Sequence, residues 1–310
     1  FKEKAMKKSL SHQYEENFME NKHAYLIMAH GDYRCLCSLL ASIDHIRHDV
    51  YIHIDKKWKD FDENKLRCVV KESNMYYIKR RSISWGGDTL LRCELELLQA
   101  ACDNRQYEYY HLLSGQDMPI KSNAERLDFF DKNPKKQFID ISGKIEGSYK
   151  GGLLCRERVE FYWLFQNFIG RDSIFIAKVI RRLQKAFVEA QQRLGYRRNS
   201  SIEFYKGGEW FSITDELARY ILVRKKVIRR QYRFALCADE IFIQTVVMSS
   251  PFKENIENCK RLIDWNRGAP YVFRSDDKER LLTSNDLFAR KFDSRIDDDI
   301  IRFLYDLFRV

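Results

Sequence analysis

The stretch "LCADEIFIQTVV" (residues 236–247) places two neighbouring carboxylates, Asp239 and Glu240, directly before an almost uninterrupted apolar run. Carboxylates at a helix start often accept hydrogen bonds from the free N–H groups of the first turn and favour the positive end of the helix dipole. A carboxylate at the wall of a pocket can instead be a general base that takes the proton of an acceptor hydroxyl. Structural carboxylates are the commoner case, but these residues alone leave both interpretations open.

Several other kinds of site lack support in the sequence. No G-x-x-x-x-G-K-[ST] loop and no G-x-G-x-x-G motif occurs, which argues against P-loop and dinucleotide-binding enzymes. The eight cysteines include no C-x-x-C pair of the kind that binds zinc. Two D-x-D strings, at 60–62 and 297–299, have ligands for a hard cation, but both precede predicted helices and are expected to be caps.

The composition predicts one globular domain with an anionic partner. The 310 residues are 45% hydrophobic and carry a formal charge of +10. Nucleotide-linked small molecules, nucleic acid and anionic membranes all fit that charge. Basic and acidic residues are interspersed, which argues against nucleic acid. Without a secretory signal or an apolar run of about 20 residues, we expect a cytoplasmic location.

Residues 1–22 are weakly patterned and are predicted to be an N-terminal extension, and residues 23–310 are predicted to be a single domain. In the first half of this domain, apolar strands alternate with amphipathic helices, which predicts an α/β fold with a mostly parallel sheet flanked by helices. Polar clusters follow the first four strands. They lie at residues 30–32, 55–56, 82–87 and 114–117. Ligands bind at this edge of such sheets, so we expect a crevice for a nucleotide or a sugar.

The segment 158–198 is predicted to hold one or two helices with large apolar residues on one side and basic residues on the other. The basic residues are Lys178, Arg181, Arg182, Lys185 and Arg193. A helix packed on the core with a solvated basic face fits this composition. A helix lying on an anionic membrane also fits it, so peripheral membrane contact is a second interpretation.

Eight strings, in order, resemble the core-2/I-branching β-1,6-N-acetylglucosaminyltransferase family, which includes the peptide O-xylosyltransferases. They are "AYLIMAH", "VYIHIDKK", "SISWGG", "HLLSGQDMPIKS", "GGEWFSIT", "ADEIFIQTVV", "LIDWNRGAPYVF" and "LFARKFD". They span nearly all of residues 23–293 and look closest to bacterial members. The stretch 155–198 is the least similar, and it is where the acceptor is expected to be selected. The resemblance implies a GT-A glycosyltransferase fold, an inverting reaction and no required metal or other cofactor.

The resemblance also implies roles for individual residues. Glu240 matches the family's catalytic base. Donor-binding roles fall on Ala29, His30, Asp55, Trp85, Gly86, Asp117, Arg267 and Lys291. Lys291 matches a phosphate-binding lysine without a gap, whereas the partner arginine aligns with Gly268 and is assigned to the adjacent Arg267. Arg274 and Arg290 are the next candidates for the role of that arginine. Gly208 and Trp210 match the segment beside the transferred sugar and the acceptor, although a core role for Trp210 stays open.

We therefore expect a glycosyltransferase that moves a sugar, N-acetylglucosamine as the first choice, from its UDP form to a glycan hydroxyl. The expected acceptor is a glycan or a lipid-linked glycan at the inner face of the cell membrane. UDP-xylose or another nucleotide sugar is the alternative donor. A non-catalytic basic module that binds nucleic acid or anionic lipid is the alternative from a different class.

Overall fold

The computed structural model describes residues 21–146, 156–170 and 175–309. Most of the predicted N-terminal extension therefore lies outside the described residues, and the division at residue 23 stays a prediction. The strands are β1 (His23–Ala29), β2 (His48–Ile54), β3 (Asn74–Tyr77), β4 (Tyr109–Ser114), β5 (Asp117–Pro119), β6 (Gln137–Ile139), β7 (Gly143–Lys144), β8 (Tyr205–Lys206), β9 (Phe211–Thr214), β10 (Ile256–Glu257), β11 (Arg261–Ile263) and β12 (Phe288–Arg290).

Helices connect and flank these strands. They are α1 (Tyr33–Ser42), α2 (Asn64–Arg67), α3 (Thr89–Asn104), α4 (Asn123–Asp131), α5 (Glu157–Glu160), α6 (Gln166–Ile169), α7 (Phe175–Arg193), α8 (Asp215–Val223), α9 (Lys225–Gln231), α10 (Phe242–Met248), α11 (Lys278–Thr283) and α12 (Asp298–Phe308). No helix within these described ranges is both long enough and apolar enough to cross a membrane.

Seven strands form the central sheet in the order β10-β6-β9-β4-β1-β2-β3. β1 pairs in parallel with both β2 and β4, whereas β9 runs antiparallel to β4 and β6. A second sheet has the order β11-β12-β5, and β7 pairs with β8. The α/β architecture with a mostly parallel sheet is thus confirmed. All seven residues of β1 and of β2 are buried, as expected for strands covered by helices on both faces.

Two hydrophobic clusters pack on the sheet. One joins α3, α8 and α10 to the central strands, and the other joins α1 and α12 to β1, β2 and β12. Both D-x-D strings act at helix starts, as predicted. Asp62 Oδ1 accepts from the Asn64 amide at 3.0 Å, and Asp297 Oδ1 accepts from the Ile300 amide at 3.0 Å.

Two local features differ from what the sequence patterns indicate. The pattern of "NKLRCVVKE" (residues 64–72) predicts a helix of about nine residues, but α2 ends at Arg67 after one turn. The acid pair does not cap α10, because Asp239 and Glu240 lie in a separate 3-10 turn and the residue before α10, Ile241, makes no side-chain cap. Cys237, in the left-handed conformation with φ of 48°, redirects the chain before that turn.

Candidate active site

The Glu240 carboxylate is partly exposed and is held by two cations. Arg158 Nη2 donates to Glu240 Oε2 at 2.8 Å, and Lys206 Nζ lies 3.6 Å from the same oxygen. The Glu240 side chain is 32% exposed, whereas that of Arg158 is 5% exposed. A carboxylate that is oriented by a buried cation and partly exposed to solvent has the geometry of a general base that can contact a substrate hydroxyl.

Main-chain groups of the segment around Glu240 form hydrogen bonds with three distant parts of the chain, and these bonds fix its backbone. The Cys237 amide donates to the Gly86 carbonyl at 2.8 Å, and the Gly207 amide donates to the Glu240 carbonyl at 3.0 Å. Arg158 adds a third anchor, because Nη2 also donates to the Cys237 carbonyl at 3.0 Å. The turn "SWGG" thus supports the Glu240 segment through Gly86, while Trp85 is 45% exposed beside it.

We expect Gly207→Ala to lower the free energy of unfolding by about 3 kcal/mol or more. A Cβ at Gly207 would lie 1.7 Å from the Asp140 carbonyl oxygen, so the backbone would have to move. Gly208→Ala is the matched control, since the nearest atom to its Cβ is Asp140 Oδ2 at 3.4 Å. Urea unfolding of both variants measures the difference, and equal stabilities would contradict this packing.

Three further carboxyl groups lie behind Glu240. Both oxygens of Glu94 and Asp239 Oδ1 are buried without a hydrogen-bond partner among the described residues. Burial, with the charges of Glu209 and Asp239, raises the pKa of Glu94 well above its usual range, and burial with Asp239 does the same to the pKa of Glu209. Burial and the charge of Glu240 raise the pKa of Asp239 to about 7. Burial therefore favours the protonated form of each of these carboxyl groups.

We expect the buried carboxyl groups to lower the stability of the wild-type protein as the pH rises from about 5 to about 7. A carboxyl whose pKa is raised in the folded state keeps a proton that it would release on unfolding, so its contribution to stability is present below the unfolded pKa and is lost as the pH rises toward the folded pKa. Glu94→Gln mimics the protonated form and should flatten this dependence. Urea unfolding at both pH values tests it, with the exposed Glu254→Gln as control, and unchanged slopes would count against a protonated Glu94.

Asp117 lies in another part of the candidate site, together with Arg290, one of the alternatives to Arg267. β12 pairs antiparallel with β5, which sets Arg290 opposite Asp117. Arg290 Nη1 donates to Asp117 Oδ1 at 2.7 Å and also to the Ser114 hydroxyl, and its guanidinium lies 4.5 Å from the centre of the Trp210 ring. Trp210 is only 5% exposed, so it packs in the core and presents a face to Arg290.

His30 after β1 and Asp55 after β2, both predicted to bind the sugar donor, lie near Lys291. Asp55 follows β2, its amide donates to the Ala29 carbonyl at 3.0 Å, and Oδ1 accepts from the Lys57 amide at 2.9 Å. Desolvation and the positive charges of Arg290 and Lys291 lower the pKa of His30, while Asp55 raises it. These influences place His30, Asp55, Arg290 and Lys291 around one end of β1, as the parallel sheet predicts.

Arg267 is paired with two carboxylates, and its expected role beside Lys291 stays a prediction. Its Nε donates to Asp264 Oδ2 at 2.6 Å, and Nη1 lies 2.7 Å from Asp277 Oδ1. The guanidinium also lies 3.9 Å from the centre of the Tyr271 ring. These contacts stabilise the loop between β11 and β12. Arg290, directly before Lys291, is the arginine that reaches the Asp117 side of the cleft.

One group of metal-ligand type occurs among the described residues, and it lies away from this cleft. Donor atoms of His23, Glu108 and Asp131 lie within 4.8 Å of one another at the start of β1. Arg47 Nη2 pairs with Asp131 at 2.8 Å and lies 3.7 Å from Glu108, so a guanidinium already neutralises these acids.

Sequence comparison assigns the chain to a family. The family model described as "Core-2/I-Branching enzyme" matches residues 23–286. The chain belongs to the core-2/I-branching enzyme family. Membership in this family was predicted from the eight sequence strings, whereas a bacterial origin stays a prediction.

Similar proteins include members named as xylosyltransferases. "Xylosyltransferase 2" of Canis lupus familiaris is 26% identical over 312 residues, covering 91% of this chain and 33% of its own length. "Xylosyltransferase" of Ciona intestinalis is 28% identical, with 90% and 33% covered. The chain thus spans about a third of the length of these relatives. The apo crystal structure of mouse xyloside xylosyltransferase 1 aligns over 87% of this chain and 96% of its own with a TM-score of 0.37 and 11% identity. The family match and the relatives support the prediction of a glycosyltransferase.

Several residues of the candidate site were missed by sequence reasoning. They are Glu94, Arg158, Lys206 and Glu209. Lys206 and Glu209 flank the "GG" of a matched string, so that string carried a local signal. Arg158 is 82 positions from Glu240, in the least similar stretch, and only the fold brings the two together.

Proposed function

We propose that the chain transfers a sugar from a UDP-sugar to a glycan hydroxyl, with inversion at the anomeric carbon and Glu240 as the general base. The observation that carries this proposal is the partly exposed Glu240 carboxylate, held at 2.8 Å by the buried Arg158. The acceptor oxygen attacks the anomeric carbon and its proton passes to Glu240. The bond from that carbon to the phosphate oxygen breaks, and UDP leaves with the electron pair.

The diphosphate gains negative charge as it leaves, and nearby positive charges would stabilise it. Arg290 and Lys291 supply fixed cations at the end of β12, close enough to His30 to lower its pKa. Charges that are already oriented before the reaction stabilise a leaving group with little reorganisation. Asp55, Ala29 and the "SWGG" turn are proposed to border the nucleotide. Gly208 and Trp210, with Asp117, are proposed to border the sugar.

N-acetylglucosamine is the donor sugar that we propose first, on the family resemblance. Xylose is the second candidate, and the names of the relatives, which are xylosyltransferases, favour it. A melting-temperature screen of UDP, UDP-N-acetylglucosamine and UDP-xylose, followed by donor-hydrolysis assays, tests both. The proposal fails if none of these compounds stabilises the chain or is turned over. For the acceptor we propose a hydroxyl of a glycan, either soluble or lipid-linked.

We expect UDP to raise the melting temperature without added divalent ions, because Arg290 and Lys291 neutralise the phosphates. EDTA should leave the shift unchanged, and the enzyme should turn over donor in its presence. The measurement is thermal unfolding with UDP, with and without EDTA, followed by addition of Mn²⁺. If EDTA abolished the shift and Mn²⁺ restored it, a metal would be required, and Asp117 would become the first candidate ligand.

A further inference from the structure

Helix α7 differs from an ordinary surface helix, because polar side chains lie on its buried face and large apolar side chains lie on its exposed face. Its buried positions are Ala177, Gln184, Val188 and Gln191. The two glutamines are hydrogen-bonded, since Gln184 Oε1 accepts from the Phe165 amide at 3.0 Å and Gln191 Oε1 accepts from the Tyr162 amide at 2.9 Å. The helix is therefore attached through these two glutamines together with the apolar Ala177 and Val188, and several of its larger apolar residues stay exposed.

The exposed apolar residues form one stripe, which we call the α7 outer face (Phe175, Ile176, Val179 and Leu183). Phe175, Val179 and Leu183 are four residues apart and so lie on one side of the helix. Their exposed fractions are 79%, 39% and 57%. Of the sixteen large apolar side chains exposed among the described residues, seven fall between Phe168 and Tyr196. A concentration of this kind on a soluble surface indicates a binding site.

Cations border the α7 outer face on both sides. On one side lie Lys178, Arg182 and Lys185, which are exposed and follow one another at intervals of four and three residues, so they share one side of the helix. On the other side, next to Phe187, lies a surface depression of about 470 Å³. Its lining includes Arg198, Arg230 and Arg233 together with Tyr162, Leu164 and Phe234. Glu189 is the single acid within α7.

We propose that the α7 outer face docks on an anionic lipid bilayer. Apolar side chains enter the boundary of the acyl chains, and the flanking lysines and arginines contact the phosphates of the head groups. A protein partner would need acidic groups on both sides of a narrow apolar surface. An anionic bilayer has acidic head groups next to apolar acyl chains over its whole surface. The proposal is independent of the donor sugar and of Glu240, so it can fail while the proposed function holds. The expected location at the inner face of a membrane stays a prediction.

Co-sedimentation with vesicles tests the proposal. We expect the full chain to bind phosphatidylcholine vesicles that contain about 30 mol% phosphatidylglycerol, and to bind at least about tenfold less to pure phosphatidylcholine. High salt should release it, because the charged contacts are exposed.

The double variant Phe175→Ser/Leu183→Ser should lower vesicle binding by at least about tenfold, since two large apolar groups leave the interface. Ile46→Ser is the matched control, because Ile46 is 50% exposed on a different part of the surface. Lys178→Gln/Lys185→Gln should abolish the preference for anionic vesicles. Melting temperatures should stay unchanged in all three, as these side chains are exposed.

Three outcomes would overturn the proposal. The wild type could fail to bind anionic vesicles, or the double variant could bind as well as the wild type. In a third outcome, the wild type would elute as a dimer and the double variant as a monomer, without any vesicle binding, and the face would then be an interface between two copies of this chain.

Discussion

Glu240→Gln should lower transfer to the acceptor by about a hundredfold to ten-thousandfold, which is the usual contribution of a general base. Glutamine keeps the size of glutamate and can still meet Arg158 and Lys206, but it cannot take the proton of the acceptor hydroxyl. The melting-temperature shift produced by UDP should be nearly unchanged, because the diphosphate leaves on the opposite side of the anomeric carbon. Turnover and UDP binding are measured on the same preparation.

The neighbouring Asp239→Asn is the matched control. Asp239 is buried, and its pKa of about 7 leaves it largely protonated below neutral pH, so asparagine is a close mimic. We expect its turnover at pH 6.5 to stay within a few-fold of the wild-type value. If the loss of activity followed Asp239→Asn while Glu240→Gln stayed active, the roles of the two carboxylates would have to be exchanged.

Lys291→Ala should lower turnover of the UDP-sugar by about a hundredfold or more, as expected when a preorganised charge on a leaving group is removed. Its stability should change little, because Lys291 is only partly buried and carries no assigned role in the core. The prediction is checked by the turnover number, the UDP-induced shift in melting temperature and the urea midpoint. Normal turnover would remove Lys291 from the site.

Two variants test which arginine acts with Lys291 on the diphosphate. The structure favours Arg290, and the sequence resemblance favours Arg267. Arg267→Ala should destabilise the loop that Asp264 and Asp277 hold, yet leave UDP use near normal. Arg290→Gln should impair UDP use and also lower stability by about 3–5 kcal/mol, because it leaves the buried carboxylate of Asp117 without its cation. If Arg267→Ala impaired UDP use and Arg290→Gln did not, the result would support the role predicted for Arg267.

Most of the first half of the fold was predictable because most of its elements carry a local signal. β1 contains the apolar run 24–29, β2 contains the shorter apolar run 50–52, and α1 and α3 have long amphipathic patterns. After Ser114 the strands shorten to two to four residues, which is too short for an alternating pattern to stand out. Their positions depend on distant partners, as when β9 runs antiparallel between β4 and β6.

The same distinction applies to the candidate site. Glu240, Asp117 and Lys291 lie in strings typical of the family, so a single sequence was enough to propose them. Arg158 and Glu94 reach the site only through tertiary packing, and no local pattern marks them. The role of Arg267 stays a prediction, because a one-position offset in a loop cannot be resolved from a single sequence. In the structure its guanidinium pairs with Asp264 and Asp277.

The contact between Arg158 and Glu240 limits how the acceptor preference of this enzyme can be engineered. Arg158 belongs to the stretch that differs most from the family and that is expected to select the acceptor, yet it orients the base at 2.8 Å. A chimera that exchanged residues 156–198 for those of a relative would remove this guanidinium together with the acceptor contacts. Grafts that retain Arg158 and vary the surrounding positions would change the acceptor pocket and leave the proton-accepting group aligned.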